Sequence, residues 1–131
     1  MDYSAKIICF LAISLFTLFT ACKSPEIKSM EVMASAYNSV KAQTANDPNI
    51  TAWGDTLKPG LKAIAISRDL LDSGFYYNME VSIDGLEGKY KVLDKMNRRW
   101  TKKIDIYMDT DVSKAREWGL QKVTIRWTTA E

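Results

Sequence analysis

Short segments in which apolar and polar side chains alternate are the feature that most limits what this chain can fold into. Residues 79–83, 104–108 and 122–127 each place apolar side chains at every second position. A period of two belongs to a β-strand that turns one face towards a core. Asp84 and Gly85 follow the first of these segments and are typical of a hairpin turn. We therefore predict a mostly β domain built from short strands.

One segment near the C-terminal end has the pattern of a helix instead. Asp111 is a residue type favoured at a helix N-cap, and Gly119 is suited to the position that follows the last turn. Between them, residues 112–118 are predicted to form one short α-helix. Further short strands are predicted at residues 30–37, 61–67 and 89–93.

The first residues have the proportions of an export signal. Lys6 supplies positive charge, and residues 7–21 form an almost unbroken apolar run of 15 residues. That run is shorter than the roughly 20 residues that a membrane-spanning helix needs. It leads into Thr-Ala-Cys at residues 20–22, which resembles a bacterial lipoprotein box with Cys22 as the lipidated residue. The alternative is a plain secretory signal followed by an incidental cysteine.

This signal divides the chain into three predicted parts. Residues 1–21 are the lipoprotein signal peptide, residues 22–29 are a lipidated tether, and residues 30–131 are one domain with a single core. Lys23 stands where some inner-membrane lipoproteins carry an aspartate. We therefore expect a lipid anchor in the outer membrane, with the domain facing the periplasm.

Composition excludes several kinds of chemistry. The chain contains no histidine, which removes Ser-His-Asp catalysis and the usual zinc sites. We expect no metal and no cofactor. The formal net charge of +2 implies no partner by itself, and export argues against nucleic acid. If the protein performs chemistry, carboxylates are the groups expected to do it.

Two aspartates, Asp94 and Asp105, lie 11 residues apart at the basic centre of the chain. A carboxylate between isoleucines, as at Asp105, is costly to bury unless it is paired or hydrogen-bonded. The residues between the two aspartates form either a solvated charged hairpin or a groove wall that attracts an anionic polymer. The basic residues in question are Lys95, Arg98, Arg99, Lys102 and Lys103.

Several short motifs follow one another along the chain in a fixed order. They are residues 34–38, Thr-Ala-Trp-Gly at residues 51–54, residues 64–66, Asp94, and residues 104–108, 115–119 and 123–125. This ordered set resembles the three-aspartate (3D) domain, the double-psi β-barrel module of membrane-bound lytic transglycosylase A and related cell-wall enzymes. Two positions depart from that pattern: Ser67 stands where the family has its first aspartate, and residues 95–97 replace a common Thr-Gly-Gly.

The resemblance implies a small double-psi β-barrel that acts on the glycan strands of peptidoglycan. Cleavage of the β-1,4 bond between N-acetylmuramic acid and N-acetylglucosamine would leave a 1,6-anhydro end. It implies Asp105 as the catalytic acid and base, with Asp94 as its partner. One carboxylate suffices for such non-hydrolytic cleavage, whereas ordinary glycosidases use two.

Five further side chains are candidates for binding the glycan. Trp53 and Trp100 are candidates for stacking on sugar rings, and Tyr107 for a hydrogen bond to substrate. Arg98 and Arg99 are candidates for meeting carboxylates of the peptide stems. Each has an ordinary alternative, because aromatic residues more often fill a core and arginines are often simply exposed.

Two other functions remain open at this point. The same barrel architecture occurs in rare-lipoprotein-A-like and expansin-like proteins, which implies a non-catalytic barrel that binds peptidoglycan or another polysaccharide. The replaced motif at residues 95–97 favours this alternative, and the presence of both Asp94 and Asp105 favours the enzyme. A lipid-tethered adaptor for another envelope protein is the third class.

Overall fold

The computed structural model describes residues 24–40 and 47–129, and these form six strands and two short helices. The predicted signal peptide and Cys22 lie outside the described residues. In the described part of the chain, no helix is both long and apolar enough to cross a membrane. In chain order the elements are β1 (Ile27–Tyr37), β2 (Ala63–Ile66), α1 (Asp69–Asp72), β3 (Glu80–Ile83), β4 (Tyr90–Lys95), β5 (Lys103–Tyr107), α2 (Val112–Trp118) and β6 (Gln121–Thr128).

The six strands close into a barrel in the order β1-β5-β2-β4-β3-β6. The pairs β1–β5 and β2–β4 are parallel, and the remaining pairs are antiparallel. A closed barrel leaves no sheet edge unpaired. This architecture confirms the prediction of a small, mostly β barrel.

The barrel interior is filled by the apolar residues of the alternating segments. Ile64 and Ile66 on β2 meet Ile106 and Ile104 on β5 across an antiparallel pair, and all four are at most 1% exposed. Full burial of such a side chain stabilises the fold by roughly 1.5–3 kcal/mol. Because these isoleucines point inward, the residues between them point out of the barrel.

The two helices differ in how well the sequence predicted them. Helix α2 spans Val112–Trp118 as expected, and the Asp111 side chain caps it by accepting a hydrogen bond from the Lys114 N–H at 2.9 Å. Helix α1 was not expected. It is a single turn whose inward residue, Leu70, is 1% exposed, so it has too few residues to show a helical period.

The first strand extends further than predicted at its N-terminal end. It begins at Ile27, which pairs with Thr128 near the end of β6. Residues 27–29 were expected in the tether, because they are polar or isolated in the sequence. Pairing with β6 brings them into the sheet although their side chains remain exposed.

Candidate active site

Four residues on four adjacent strands form one row across the outside of the barrel. Asp105 on β5 lies opposite Ser35 on β1 and opposite Ala65 on β2. Ala65 in turn lies opposite Asp94 on β4. Neighbouring strands are spaced by about 4.8 Å, so the backbones of the two aspartates are roughly 10 Å apart. The barrel therefore brings together the two predicted catalytic residues.

A β-bulge is what brings Asp94 into this row. Ile64 pairs with Val92, but the next residue, Ala65, pairs with Asp94 because the register shifts between them. The extra residue in β4 is Leu93, which packs into a separate apolar cluster. A bulge of this kind redirects the side chains that follow it. Without it, Leu93 would stand opposite Ala65.

Three members of the row, Asp105, Ala65 and Asp94, line an open cleft with a volume of about 230 Å³. Ala65 lies between the two aspartates, and its methyl group leaves room that a larger side chain would occupy. The neighbouring loop after β4 supplies one wall. The lining residues are Tyr37, Asn38, Ala65, Asp94, Lys95, Met96, Asn97, Trp100 and Asp105.

Asp94 is half-buried and held by backbone donors. Its Oδ1 accepts hydrogen bonds from the N–H of Ala52 at 2.7 Å and from its neighbour Lys95 at 2.8 Å. Burial raises the pKa of the Asp94 carboxyl above its ordinary value, and these two hydrogen bonds and the Lys95 charge only partly oppose that rise. Ala52 belongs to the matching stretch at residues 51–54, which thereby contacts the site.

Asp105 is half-buried and has fewer donors. Its Oδ1 accepts one hydrogen bond, from the Ser35 hydroxyl at 3.1 Å. Burial raises the pKa of Asp105, the Ser35 hydrogen bond and the Lys103 charge oppose the rise, and the Asp94 charge adds to it. Asp105 forms no ion pair with any of the described residues. The ion pair found in this part of the chain joins Arg126 and Asp84 on the surface. A carboxyl in this setting favours its protonated form.

Trp100 stands at the wall of the cleft and is 37% exposed. The Lys103 ammonium lies 3.7 Å from the centre of its ring, and the Arg99 guanidinium lies 4.9 Å from it. Cations held over an aromatic face are stabilised by the charge distribution of the ring. Arg99 is thus placed beside the cleft, and both Arg98 and Arg99 are exposed on this loop.

Trp53 is half-buried just outside the cleft. Its ring lies 4.8 Å from the ammonium of Lys95, which lines the cleft, and 5.4 Å from the ring of Tyr77. The Tyr77 hydroxyl donates to Asp55 at 2.8 Å. Trp53 and Tyr77 therefore form a partly exposed aromatic surface next to the Asp94 end of the cleft.

Tyr107 lies away from this cleft. It is 4% exposed, packs in the cluster that contains Leu93, and shares a hydrogen bond of 3.0 Å with the Ser39 hydroxyl. Alternation places it on the same face as Asp105, as expected, but this position favours the space-filling alternative over contact with substrate.

Ser67, which stands where the 3D family has its first aspartate, holds a loop in place in this structure. Ser67 is fully buried, and its Oγ accepts a hydrogen bond from the Lys103 N–H at 2.9 Å. Asp69 accepts one from the Lys102 N–H at 2.8 Å. Both bonds fasten the end of the loop that carries Trp100. Neither Ser67 nor Asp69 lines the cleft.

Sequence reasoning missed several residues of the site. Ser35 and Tyr37 alternate with buried Ala34 on β1, and this alternation was the signal that would have placed them outside the barrel. Asn38 and Asn97 come from irregular segments and carry no such signal. Ala65 lies within the strand predicted at residues 61–67, but its position between the aspartates depends on strand order.

Comparison with known proteins finds no matching family model and no matching curated protein. In the described part of the chain, no three acidic or cysteine residues cluster in a way that would hold a metal ion.

Proposed function

We propose that the protein is a lytic transglycosylase of the 3D type, which cleaves the bond between N-acetylmuramic acid and N-acetylglucosamine in peptidoglycan. The observation that carries this proposal is Asp105: a half-buried carboxyl in an open cleft, without an ion pair among the described residues, whose pKa is raised mainly by burial. An acid catalyst that works near neutral pH needs a pKa above the ordinary aspartate value, and burial shifts the pKa of Asp105 in that direction.

The reaction uses Asp105 twice. The protonated carboxyl first gives its proton to the oxygen that links the two sugars, and the bond from that oxygen to C1 of the muramic acid breaks. The resulting carboxylate then takes the proton of the 6-hydroxyl of the same sugar, whose oxygen closes on C1. The Ser35 hydroxyl, which donates to Asp105, stabilises the carboxylate between the two steps.

Asp94 serves as the charged partner. Burial raises the pKa of Asp94 too, but its two backbone N–H donors oppose that rise and stabilise the ionised form. In this assignment the negative charge of Asp94 helps to keep the proton on Asp105. The same charge stabilises the positive charge that develops on the sugar ring in the transition state. Two interacting carboxyls of this kind titrate as a coupled pair.

The size and rim of the cleft fit a polymer better than a small ligand. Its volume of about 230 Å³ lies below the range of roughly 300–1,000 Å³ of drug-sized sites. In the proposed complex one sugar ring occupies the cleft between the aspartates, and the rest of the glycan strand lies over the surface. Trp100 and Trp53 offer aromatic faces on either side, and Arg98 and Arg99 meet carboxylates of the peptide stems.

The test is substitution of Asp105 by Asn, which keeps the shape of the side chain and removes the acid. Purified sacculi are incubated with the full chain, and released anhydro-muropeptides are measured by mass spectrometry. We expect a loss of at least about 100-fold, with circular dichroism unchanged. Asp72→Asn, on the exposed side of α1, is the matched control and should retain activity. Equal product from D105N and D72N contradicts the proposal.

A second function is favoured by one specific observation. Met96 and Asn97 stand in the wall of the cleft, where the family pattern has glycines that allow a sugar close to the backbone. A barrel narrowed in this way binds polysaccharide without cleaving it. Sacculi that retain the unmodified chain in a pull-down but release no anhydro product would establish this function instead.

We also propose that the protein works from a lipid anchor at Cys22, in the outer membrane and facing the periplasm. The support is the apolar run followed by Thr-Ala-Cys. Cys22→Ser should move the protein from the membrane fraction to the soluble fraction of the envelope. Unchanged fractionation would contradict the anchor without bearing on the cleft.

A further inference from the structure

Tyr77 is a large surface side chain near the cleft that the reaction above does not use. It is 46% exposed and lies in an irregular segment between α1 and β3. Exposed aromatic residues that occur singly need no explanation, whereas those grouped on one surface often mark a binding site. Tyr77 belongs to the second kind, because its ring contacts the ring of Trp53 with centres 5.4 Å apart.

The Tyr77 side chain is held both at its ring and at its hydroxyl. The ring packs at 55° against Trp53, which itself packs against the core, and the hydroxyl donates to Asp55 at 2.8 Å. The backbone of the next residue, Asn78, is in the left-handed region with φ 66°, and its N–H donates to the carbonyl of Val92 on β4 at 2.8 Å. An exposed ring that is already ordered loses little conformational freedom when a ligand covers it.

One turn, closed by hydrogen bonds between Thr51 and Asp55, links Tyr77 to the cleft. The Thr51 N–H donates to the Asp55 carbonyl at 2.9 Å, and the Asp55 N–H donates to the Thr51 hydroxyl oxygen at 3.0 Å. Within this turn the Ala52 N–H donates to the Asp94 carboxylate at 2.7 Å, while the Asp55 carboxylate accepts from Tyr77. The same turn therefore fixes the position of Tyr77 relative to Asp94.

Charged groups flank this aromatic surface. The Asp55 carboxylate lies at the hydroxyl of Tyr77. Lys95 lines the cleft, and its ammonium lies 4.8 Å from the centre of the Trp53 ring. A sugar has an apolar C–H face and a rim of hydroxyls, so it matches an aromatic face with polar neighbours. An apolar protein partner would instead need a wider surface with fewer charges.

We propose that Tyr77 stacks on a sugar ring in an outer glycan subsite at the Asp94 end of the cleft. Trp53 supports the ring of Tyr77, and Asp55 holds its hydroxyl. Tyr77 lies outside the cleft lining, so its occupant is a sugar further along the strand than the one held between the aspartates. The protein therefore prefers a glycan strand to a disaccharide, and this preference rests on the proposed function.

The test is binding of peptide-free glycan strands of one length, prepared from sacculi, to the full chain in detergent micelles. Every variant also carries Asp105→Asn, so that the strands are not cleaved while calorimetry measures their affinity. Tyr77→Ala removes the stacking face and should weaken binding about tenfold. Tyr77→Phe keeps the face and loses the bond to Asp55, so binding should weaken by about threefold or less.

Tyr76→Ala is the matched control. Tyr76 is 54% exposed and precedes Tyr77 directly, but its ring contacts no other aromatic ring in the described part of the chain. Its removal should leave the affinity unchanged. Equal losses in Y77A and Y76A overturn the proposal. A loss in Y77F as large as that in Y77A also overturns it, because the hydroxyl and not the ring would then carry the binding.

If Y77A does not fold, NMR of the D105N chain decides the question. Saturation of the Tyr77 ring protons should reach the C–H protons of a bound sugar, and the absence of this transfer contradicts the proposal. Strands that D105N does not bind contradict it too, as does a Y77A variant that changes only the self-association of the chain.

The proposed function is tested separately, by anhydro product from sacculi with Asp105 present. Product formation combined with unchanged binding in Y77A overturns the outer subsite and leaves the reaction standing. Strands bound through Tyr77 without any anhydro product support the subsite, in a barrel that only binds glycan.

Discussion

The inner and outer faces of the same two strands, β2 and β5, carry different kinds of side chain and differ in which substitutions they tolerate. The inner face presents isoleucines such as Ile64 and Ile106, which are at most 1% exposed and pack in the apolar core. The outer face presents Ala65 and Asp105 at the base of a cleft. Cores tolerate exchange among apolar side chains of similar volume. The cleft depends instead on the small side chain of Ala65, on the carboxyl of Asp105 and on the register between β2 and β4.

The largest expected effect on this contrast comes from the inner face. Ile106→Ala removes a side chain that is 1% exposed and leaves a cavity, so the free energy of unfolding should fall by about 2–5 kcal/mol. Urea denaturation measures this directly. Ile106→Val is the matched control, with an expected loss of about 0.5–1.5 kcal/mol. Equal losses in the two variants would show that the barrel interior is not closely packed.

An intermediate effect is expected from filling the cleft. Ala65→Leu places three more carbon atoms between the two aspartates, so binding to sacculi should weaken about tenfold or more. Retention in a sedimentation assay measures binding. Ala63→Leu is the matched control, because Ala63 is also buried on β2 but belongs to the cluster of Leu93 and Tyr107. Both variants lose stability from overpacking, by roughly 1–3 kcal/mol. Equal binding by the two would contradict the position assigned to the cleft.

The smallest effect concerns the charge on the outer face. The pKa of Asp105 is raised on folding by burial, so the folded state holds this proton more tightly than the unfolded state does. Stability from this group is present below the ordinary aspartate pKa of about 3.9 and is lost as pH rises through the raised value. Asp105→Asn should therefore be more stable than the unmodified chain at pH 7, by about 1 kcal/mol or less.

This stability difference should shrink as pH falls through the raised pKa of Asp105 and should vanish below about 4, where the aspartate is protonated in the folded and unfolded states and is neutral like asparagine. Urea denaturation at a series of pH values measures it. Asp72→Asn, exposed on α1, controls for the loss of one negative charge. A stability of the unmodified chain that rises with pH relative to D105N would show that a partner stabilises the ionised form.

Much of the barrel could be predicted from the sequence. Alternation at residues 104–108 gave both the strand and the outward direction of Asp105, and Asp111 gave the start of α2, because both signals are local. The same local signals missed α1, which has a single turn. Closure of the barrel could not be predicted from them, since the parallel pairs join strands that are distant in sequence.

The candidate site was less accessible to sequence reasoning. The two aspartates were recognised, but the bulge that turns Asp94 rather than Leu93 towards Ala65 leaves no pattern in the sequence. The packing of Tyr107 against Tyr37 also depends on the pairing of β1 with β5. The pairing of strands that are distant in sequence decides which of several equivalent polar residues share a cleft. Local periodicity in the sequence does not predict this pairing.

The most direct measurement of the central claim is the product formed from sacculi in water enriched in ¹⁸O. In the proposed reaction the 6-hydroxyl of the muramic acid closes on C1 after Asp105 takes its proton, and no water enters. The account predicts anhydro ends without ¹⁸O from the unmodified full chain, and none from D105N. Reducing ends that carry ¹⁸O would identify a hydrolase, and sacculi left intact by the unmodified chain would identify a barrel that only binds them.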